Sequence, residues 1–489
     1  MKKNYLFSLL LSVANILFPI ISFPYISKTL GPIGVGKVQF ITTFASYFAL
    51  IAALGIPIYG VREIAKYKSS AEKLSKVFSE LIIINVITSL LLSIIYIAFV
   101  LFLPYFNGDK NLYLWAIMLV ILGFSSIDWF YAGLEEFKTV AIRSVLVRMA
   151  ALVLMFLLIK KDTDYYLYLM ILIFITLANN FINILMLSKR VTFTYKGLSL
   201  QTHLKPLFLI FGTTIATSMY TMLDTVLLGF LSDNKSVGLY SAAVKLTKIA
   251  IPIVTSFGVI LVPKLAKNLT EKNIDEVQSL LNKSFSFIAF FSIPLGFGLA
   301  ILAPELIVGF SSKKFIDGTF SMQILSMLPF VIGFGYFFGF QILVPAGKDK
   351  ELLFSVVGGV IIGLLLNFLL IPQFKQLGAA IANVCSELIV TLLYMYFVKK
   401  YYSYKFYLKP IYSAIFCSIL FIPIIYLLRT LHLNIYVLIF LSTALCGIIY
   451  FFAQKVLFKN NLITDAIQPF FINKLPFYNK GNIDKDVNF

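Results

Sequence analysis

The chain has 489 residues, of which 60% are hydrophobic and 13% charged, and its formal net charge is +19. A soluble domain of that composition would leave far too much apolar surface in water, so the proportions exclude a water-soluble protein. They call for a chain that crosses the bilayer many times.

Read from the N terminus, Lys2 and Lys3 precede a first apolar run at 8–29. It is full length and is followed by no small-residue cleavage site, so it is expected to stay as a span. Each crossing needs about 20 apolar residues. The runs 38–60, 81–103, 112–134, 140–160 and 165–187 complete a first six, and 207–231, 239–262, 284–304, 321–345, 352–371 and 378–398 make a second. Segments 408–428 and 433–453 follow, which gives an all-α polytopic membrane protein of about 14 transmembrane helices. The longest polar segments, Arg62 to Glu80 and Lys264 to Lys283, are basic and partly amphipathic and read as interfacial helices. The tail Gln454 to Phe489 is polar and carries no pattern that demands structure.

The distribution of Lys and Arg tests that count, because a missed span would exchange the two sides for everything after it. With both termini cytoplasmic, about 27 fall in cytoplasmic segments against about 10 in outward ones. The net charge is thus mostly topological, laid against anionic lipid head groups, and gives no support to nucleic-acid binding. Cys385, Cys417 and Cys446 lie inside spans without ligand spacing, and His203 and His432 lie near helix ends. No metal site, disulfide or cofactor is expected from them.

Weak self-similarity recurs in order. "VGKVQFITTF" opening the second span matches "VGLYSAAVKL" opening the eighth, "REIAK" matches "PKLAK", and "LVLMFLLIK" in the fifth matches "LLLNFLLIP" in the eleventh. Six spans separate the copies, an even number, so the halves face the same way and are related by a pseudo-twofold along the membrane normal. The organisation expected is a six-helix lobe at 1–190, a second at 191–400, two extra helices at 401–453 and a cytoplasmic tail at 454–489.

The segments "LGPIGVGKVQF", "GIPIYGVREIAK", "DWFYAGLEEFKTVAIRSVLVR", "LDTVLLGFLSDNKSVGLYSAA" and "LGAAIANVCSELI" extend over most of the first twelve spans. In these the chain resembles the polysaccharide transport branch of the multidrug/oligosaccharidyl-lipid/polysaccharide exporter superfamily, whose members include O-antigen flippases. The resemblance implies flipping of an undecaprenyl-diphosphate-linked oligosaccharide across a bacterial inner membrane for O-antigen, capsule or exopolysaccharide assembly. A polysaccharide polymerase would be a partner in such a pathway. A cation-coupled multidrug exporter and a lipid II flippase are the alternatives within the superfamily. A membrane-embedded glycosyltransferase or polymerase is the enzyme alternative, and no loop is large enough to hold its catalytic centre.

Ionisable groups inside spans are expensive and usually face a cavity or a partner. Lys245 and Lys248 share a helix face in the eighth span, and Lys248 is too deep to reach the interface by extending its side chain. Arg148 is similarly deep in the fifth span, and Arg143 lies closer to the cytoplasmic surface. These four cations suit a diphosphate. Structural pairing is the other reading, with Asp224 matched in depth to Lys245 and Asp128 to Arg143. Glu387, near the middle of the twelfth span, is either an ion-coupling carboxylate or a neutral hydrogen-bonded acid. Trp129 and Tyr131 are expected in the aromatic belt of the interface. Pro19, Pro24, Pro57, Pro252, Pro294 and Pro329 interrupt spans, and Gly333, Gly335 and Gly339 signal either bending or close packing.

Overall fold

The computed structural model describes residues 2–187 and 191–459, and every regular element among them is helical. Most of the polar tail lies outside the described residues. The helices that carry the argument are α1 (Lys2–Ala53), α2 (Ile56–Tyr67), α3 (Ala71–Phe102), α4 (Asp128–Gly133), α5 (Phe137–Leu158), α6 (Tyr165–Leu187), α7 (Gln201–Leu231), α8 (Asn234–Lys248), α9 (Ile251–Thr270), α10 (Ile274–Ile301) and α11 (Asp349–Tyr401). Eleven stretches among the described residues are long and apolar enough to cross a bilayer. Two of them, 58 and 53 residues long, each hold two crossings. With α7, 31 residues long, the chain accommodates the fourteen crossings expected.

The two long stretches fold back at single residues. α1 turns at Gly31, where φ is 67°, a left-handed conformation that glycine adopts without a Cβ clash. α11 turns at Lys375, φ 48°, and there the side chain is held by an ion pair with Asp233 at 2.9 Å. Pro252 and Pro329 open new helices where their spans break, and a missing N–H is harmless in a first turn. The glycines of the tenth span serve close packing. A Cβ would lie 2.6 Å from Val254 at Gly333, 2.7 Å from Thr391 at Gly335 and 2.8 Å from Tyr394 at Gly339.

The basic segment Lys264 to Lys283 is not a separate interfacial helix as the sequence suggested, whereas Arg62 to Tyr67 lies in α2, a short helix of its own beyond the break at Leu54 and Gly55. Arg62 to Glu80 is the end of α2 and the start of α3, and Lys264 to Lys283 the end of α9 and the start of α10. Continuing the helix keeps the backbone hydrogen-bonded past the apolar stretch, and the lysines reach outward from it.

The second and eighth spans cross closely near the Gly31 turn. A Cβ at Gly36 would lie 1.7 Å from the Asn234 carbonyl oxygen, and one at Gly238 would lie 2.0 Å from that of Pro32. Each carbonyl stands four residues before the glycine of its own helix. The contact is therefore reciprocal, as a two-fold relation between the matching "VG" motifs would make it. Three ion pairs flank it: Lys37 to Asp109 at 2.8 Å, Lys235 to Asp317 at 2.7 Å and Lys375 to Asp233. Outside the spans, Asp317 also holds the Lys235 ammonium above the usual lysine range. Around this crossing Phe23, Val38, Phe40, Leu239, Ala243 and Ala379 join one apolar core drawn from both sets of six.

Candidate functional site

Below the crossing the second span carries a polar stripe, Gln39, Thr42, Thr43 and Ser46, at helical spacing in an otherwise apolar segment. The stripe faces a cavity of about 250 Å³ whose other wall includes Ser241, Lys245 and Lys248. A larger cavity of about 620 Å³ continues from it, sharing Thr42, Ser46 and Met222, and is lined by Asn15, Asn85, Trp129, Arg148, Thr176 and Asn180. Three of the four cations singled out in the sequence thus line one continuous space. No carboxylate lines it among the described residues.

The three cations are held differently. Lys245 donates to Gln39 Oε1 at 3.1 Å and stands 4.2 Å from the centroid of Phe23. Lys248 is exposed although its helix lies mid-bundle, and among the described residues its ammonium makes no hydrogen bond or ion pair. Arg148 donates through Nη2 to Asn15 Oδ1, and its Nη1 is buried without an acceptor among the described residues. Two of the three cations therefore keep donors unused within the protein.

The other sequence candidates lie elsewhere. Arg143 is 4% exposed and spent on structure, donating to Asp128 at 2.7 Å and to Asn179 at 3.0 Å, while Asn183 also donates to Asp128. The Asp224 to Lys245 pair expected from matched depth is not formed. Asp224 instead accepts from Tyr240 at 3.0 Å, from Asn367 at 2.8 Å and from Asn383. It borders a separate space of about 10 Å³ with Gly359, Gly363 and Ser386. Glu387 is half-buried one turn beyond Asn383 on the same helix. Trp129 and Tyr131 do not form a belt either: they are 4% and 1% exposed, and Tyr131 donates to the Asn183 carbonyl.

Residues 1–269, more than half of the chain, match the family described as polysaccharide biosynthesis protein. The chain belongs to that family. It is 26% identical over 411 residues to the "Putative O-antigen transporter" of Escherichia coli, covering 82% of this chain and 97% of the relative. To the protein of the same name from Shigella dysenteriae it is 28% identical over 407 residues, covering 82% and 100%. In fold it is similar to the lipid II flippase MurJ in an inward closed conformation, with a TM-score of 0.75 at 17% identity over 95% of this chain and 100% of that one. An inward-facing multidrug transporter of the MATE family aligns with a TM-score of 0.64 at 14% identity, over 78% of this chain and 93% of that one.

In this family member, then, the smaller cavity lies between the two sets of helices, the larger one is lined almost wholly by the first six spans, both carry cations, and no carboxylate is among their described lining. Sequence reasoning missed Asn15, Gln39, Asn85 and Asn180 as cavity residues. The signal for Gln39 was available in the spacing of its polar stripe, and that for Asn180 in the cluster it forms with Asn179 and Asn183; Asn15 and Asn85 are the lone asparagines of their spans and give none. The geometry also changes what double mutants should do. Asp224 and Lys245 share no partner, so losses of folded protein in Asp224→Asn and Lys245→Met should add, within about 0.5 kcal/mol. Asp128→Asn and Arg143→Gln should not add, because losing Asp128 strands the buried Arg143 and the double removes that charge as well. Thermal melting of the four single and two double variants in detergent checks both statements.

Proposed function

We propose that this chain flips an oligosaccharide linked to undecaprenyl diphosphate across the bacterial inner membrane by alternating access. The observation that carries the reading is a central cavity lined by Arg148, Lys245 and Lys248 with no carboxylate among its described lining. A diphosphate carries at least two negative charges and accepts the donors that Lys248 and Arg148 leave free. An exporter of cationic drugs would need the opposite sign in that space. The names of the relatives agree with an oligosaccharide as cargo. Membership of the family and the absence of a loop suited to a catalytic centre argue for a transporter rather than an enzyme. Asp224 and Asn383 border a space for about one water-sized species, Tyr240 and Asn367 donate to the same carboxylate, and with Glu387 nearby they form the ion-coupling site in this reading. A polysaccharide polymerase receives the flipped unit on the far side.

Expression in a bacterial strain whose own O-antigen flippase has been deleted tests the reading. Surface polymer should return; normal insertion with lipid-linked units accumulating in the cytoplasmic leaflet would sink it. Rescue of a strain lacking its lipid II flippase, in place of the first, would reassign the cargo to lipid II. In the same cells both termini should be cytoplasmic and the Gly31 turn external. Asn107→Cys, beside that turn, should then react with an impermeant thiol reagent applied to intact cells, and labelling only after lysis would invert the topology.

A further inference from the structure

The cavity changes character along its length. Gln39, on α1, lines its smaller part, and Pro57, on α2 beyond the break at Leu54 and Gly55, lines its larger part. Lys245 and Lys248 belong to the Gln39 end. The larger part holds a single described cation, Arg148, beside Asn15, and the rest of its polar lining, which includes Asn85, Ser126, Trp129, Thr176 and Asn180, is neutral. Trp129 is packed on two sides. Phe78 stacks on it with centroids 5.8 Å apart, and a Cβ on Gly60 would come within 2.4 Å of its ring. Yet its Nε1 is buried with no acceptor among the described residues. A buried indole N–H without an acceptor is uncommon, and here it belongs to a residue that lines the cavity.

We propose that the Pro57 end is a subsite for the uncharged sugar joined to the diphosphate. Trp129 Nε1 donates to a sugar oxygen, and the carboxamides of Asn85 and Asn180, which both donate and accept, meet its hydroxyl or acetamido groups. Neutral amides suit this task because a sugar hydroxyl needs a donor and an acceptor at once and carries no charge to neutralise. Phe78 and Gly60 hold the plane of the indole, and a small shift of its neighbours exposes Nε1, which is buried in the empty protein, to the ligand. The inference rests on the flippase reading and adds to it a division of the cavity into a phosphate end and a sugar end.

The test uses the full chain in nanodiscs and two probes, undecaprenyl diphosphate and the same lipid bearing one N-acetylglucosamine. Trp129→Phe, which keeps the ring and removes the N–H, and Asn180→Ala should each weaken the sugar-bearing probe about tenfold and leave the bare diphosphate lipid unchanged. Lys248→Gln should weaken both probes. Unchanged binding of the bare lipid also shows that each variant is folded. If Trp129→Phe and Asn180→Ala weaken both probes alike, or neither, there is no sugar subsite at this end. If the unsubstituted chain binds neither probe, it is the flippase reading that fails.

Discussion

Lys248→Gln and Arg148→Gln should each abolish surface-polymer assembly while leaving the protein in the membrane at near-normal abundance. The expectation follows from what the two side chains do in the empty protein, which is little. Lys248 is exposed within the bundle and makes no hydrogen bond among the described residues, and Arg148 keeps one buried nitrogen without an acceptor. Removing Lys248 breaks no hydrogen bond among the described residues and removing Arg148 breaks one, to Asn15, so neither change should unfold the chain. Removing a charged donor from a bound diphosphate should cost about 1.5–3 kcal/mol, a loss of roughly 10- to 150-fold in affinity. Lys248→Arg should keep part of the activity, since the charge survives and the geometry changes. Polymer on the cell surface and protein in the membrane fraction, measured together in a strain lacking other flippases, decide the matter. Full export by a normally inserted glutamine variant would remove that residue from the anion site. Asp128→Asn is the control with the opposite expectation, because it strands the buried Arg143 guanidinium and should lower abundance.

The membrane architecture was legible in the sequence because one physical quantity, the length of an apolar run, sets each crossing and a second, the placement of Lys and Arg, checks it. Depth was legible for the same reason. Azimuth was not. Asp224 and Lys245 do lie at similar depths by residue count, but Tyr240 and Lys245 stand five residues apart on α8, about 140° around the helix. The face with Tyr240 meets Asp224, and the face with Lys245 meets Gln39 and Phe23 on α1. Asp128 and Arg143 were matched by the same reasoning and do pair, because the short α4 and the start of α5 are adjacent in the chain and leave little freedom of rotation. Asn367 and Asn383, which hold Asp224, are 143 and 159 residues from it, and nothing local to Asp224 announces them. Trp129 was misread for a related reason: a tryptophan near a helix end suits the interface on average, and only the approach of Gly60 and Phe78 shows that this one faces inward.

The separation of charges has a consequence for coupling. The cations occupy the cavity that cargo would enter, while Asp224 borders its own small space between α7 and α11 and accepts from Tyr240 of α8. One helix therefore touches both sites. A proton or metal cation bound at Asp224 and an anion bound at Lys248 would each bias the position of α8, which is the differential interaction that linkage between two ligands requires.

Substitution of Gly36 or Gly238 by alanine should hold the Gly31 end open. An added methyl at Gly238 would stand 2.0 Å from a backbone carbonyl oxygen, and one at Gly36 1.7 Å from another. Neither oxygen can rotate away as a side chain would, so the two helices must separate. The Lys37 to Asp109, Lys235 to Asp317 and Lys375 to Asp233 pairs that flank the crossing would be stretched with them. Alternating access requires that this end close in one state and part in the other, and the glycine contact exists only in the closed one. Its loss therefore destabilises one state selectively, by about 1–3 kcal/mol for overpacking of this kind, and shifts the ratio of the two states roughly 5- to 150-fold toward opening. The measurement is the rate at which an impermeant thiol reagent, applied from the Gly31 side, modifies Thr42→Cys in a chain whose three native cysteines are serine. That rate should rise in either alanine variant by about the same factor, with transport lost. Because the contact is reciprocal, either methyl alone opens the gap that the second would need. The double variant should therefore exceed the stronger single one only slightly, well short of the product of the two effects. An unchanged labelling rate together with lower abundance would mean that the glycines serve assembly of the bundle and take no part in its opening.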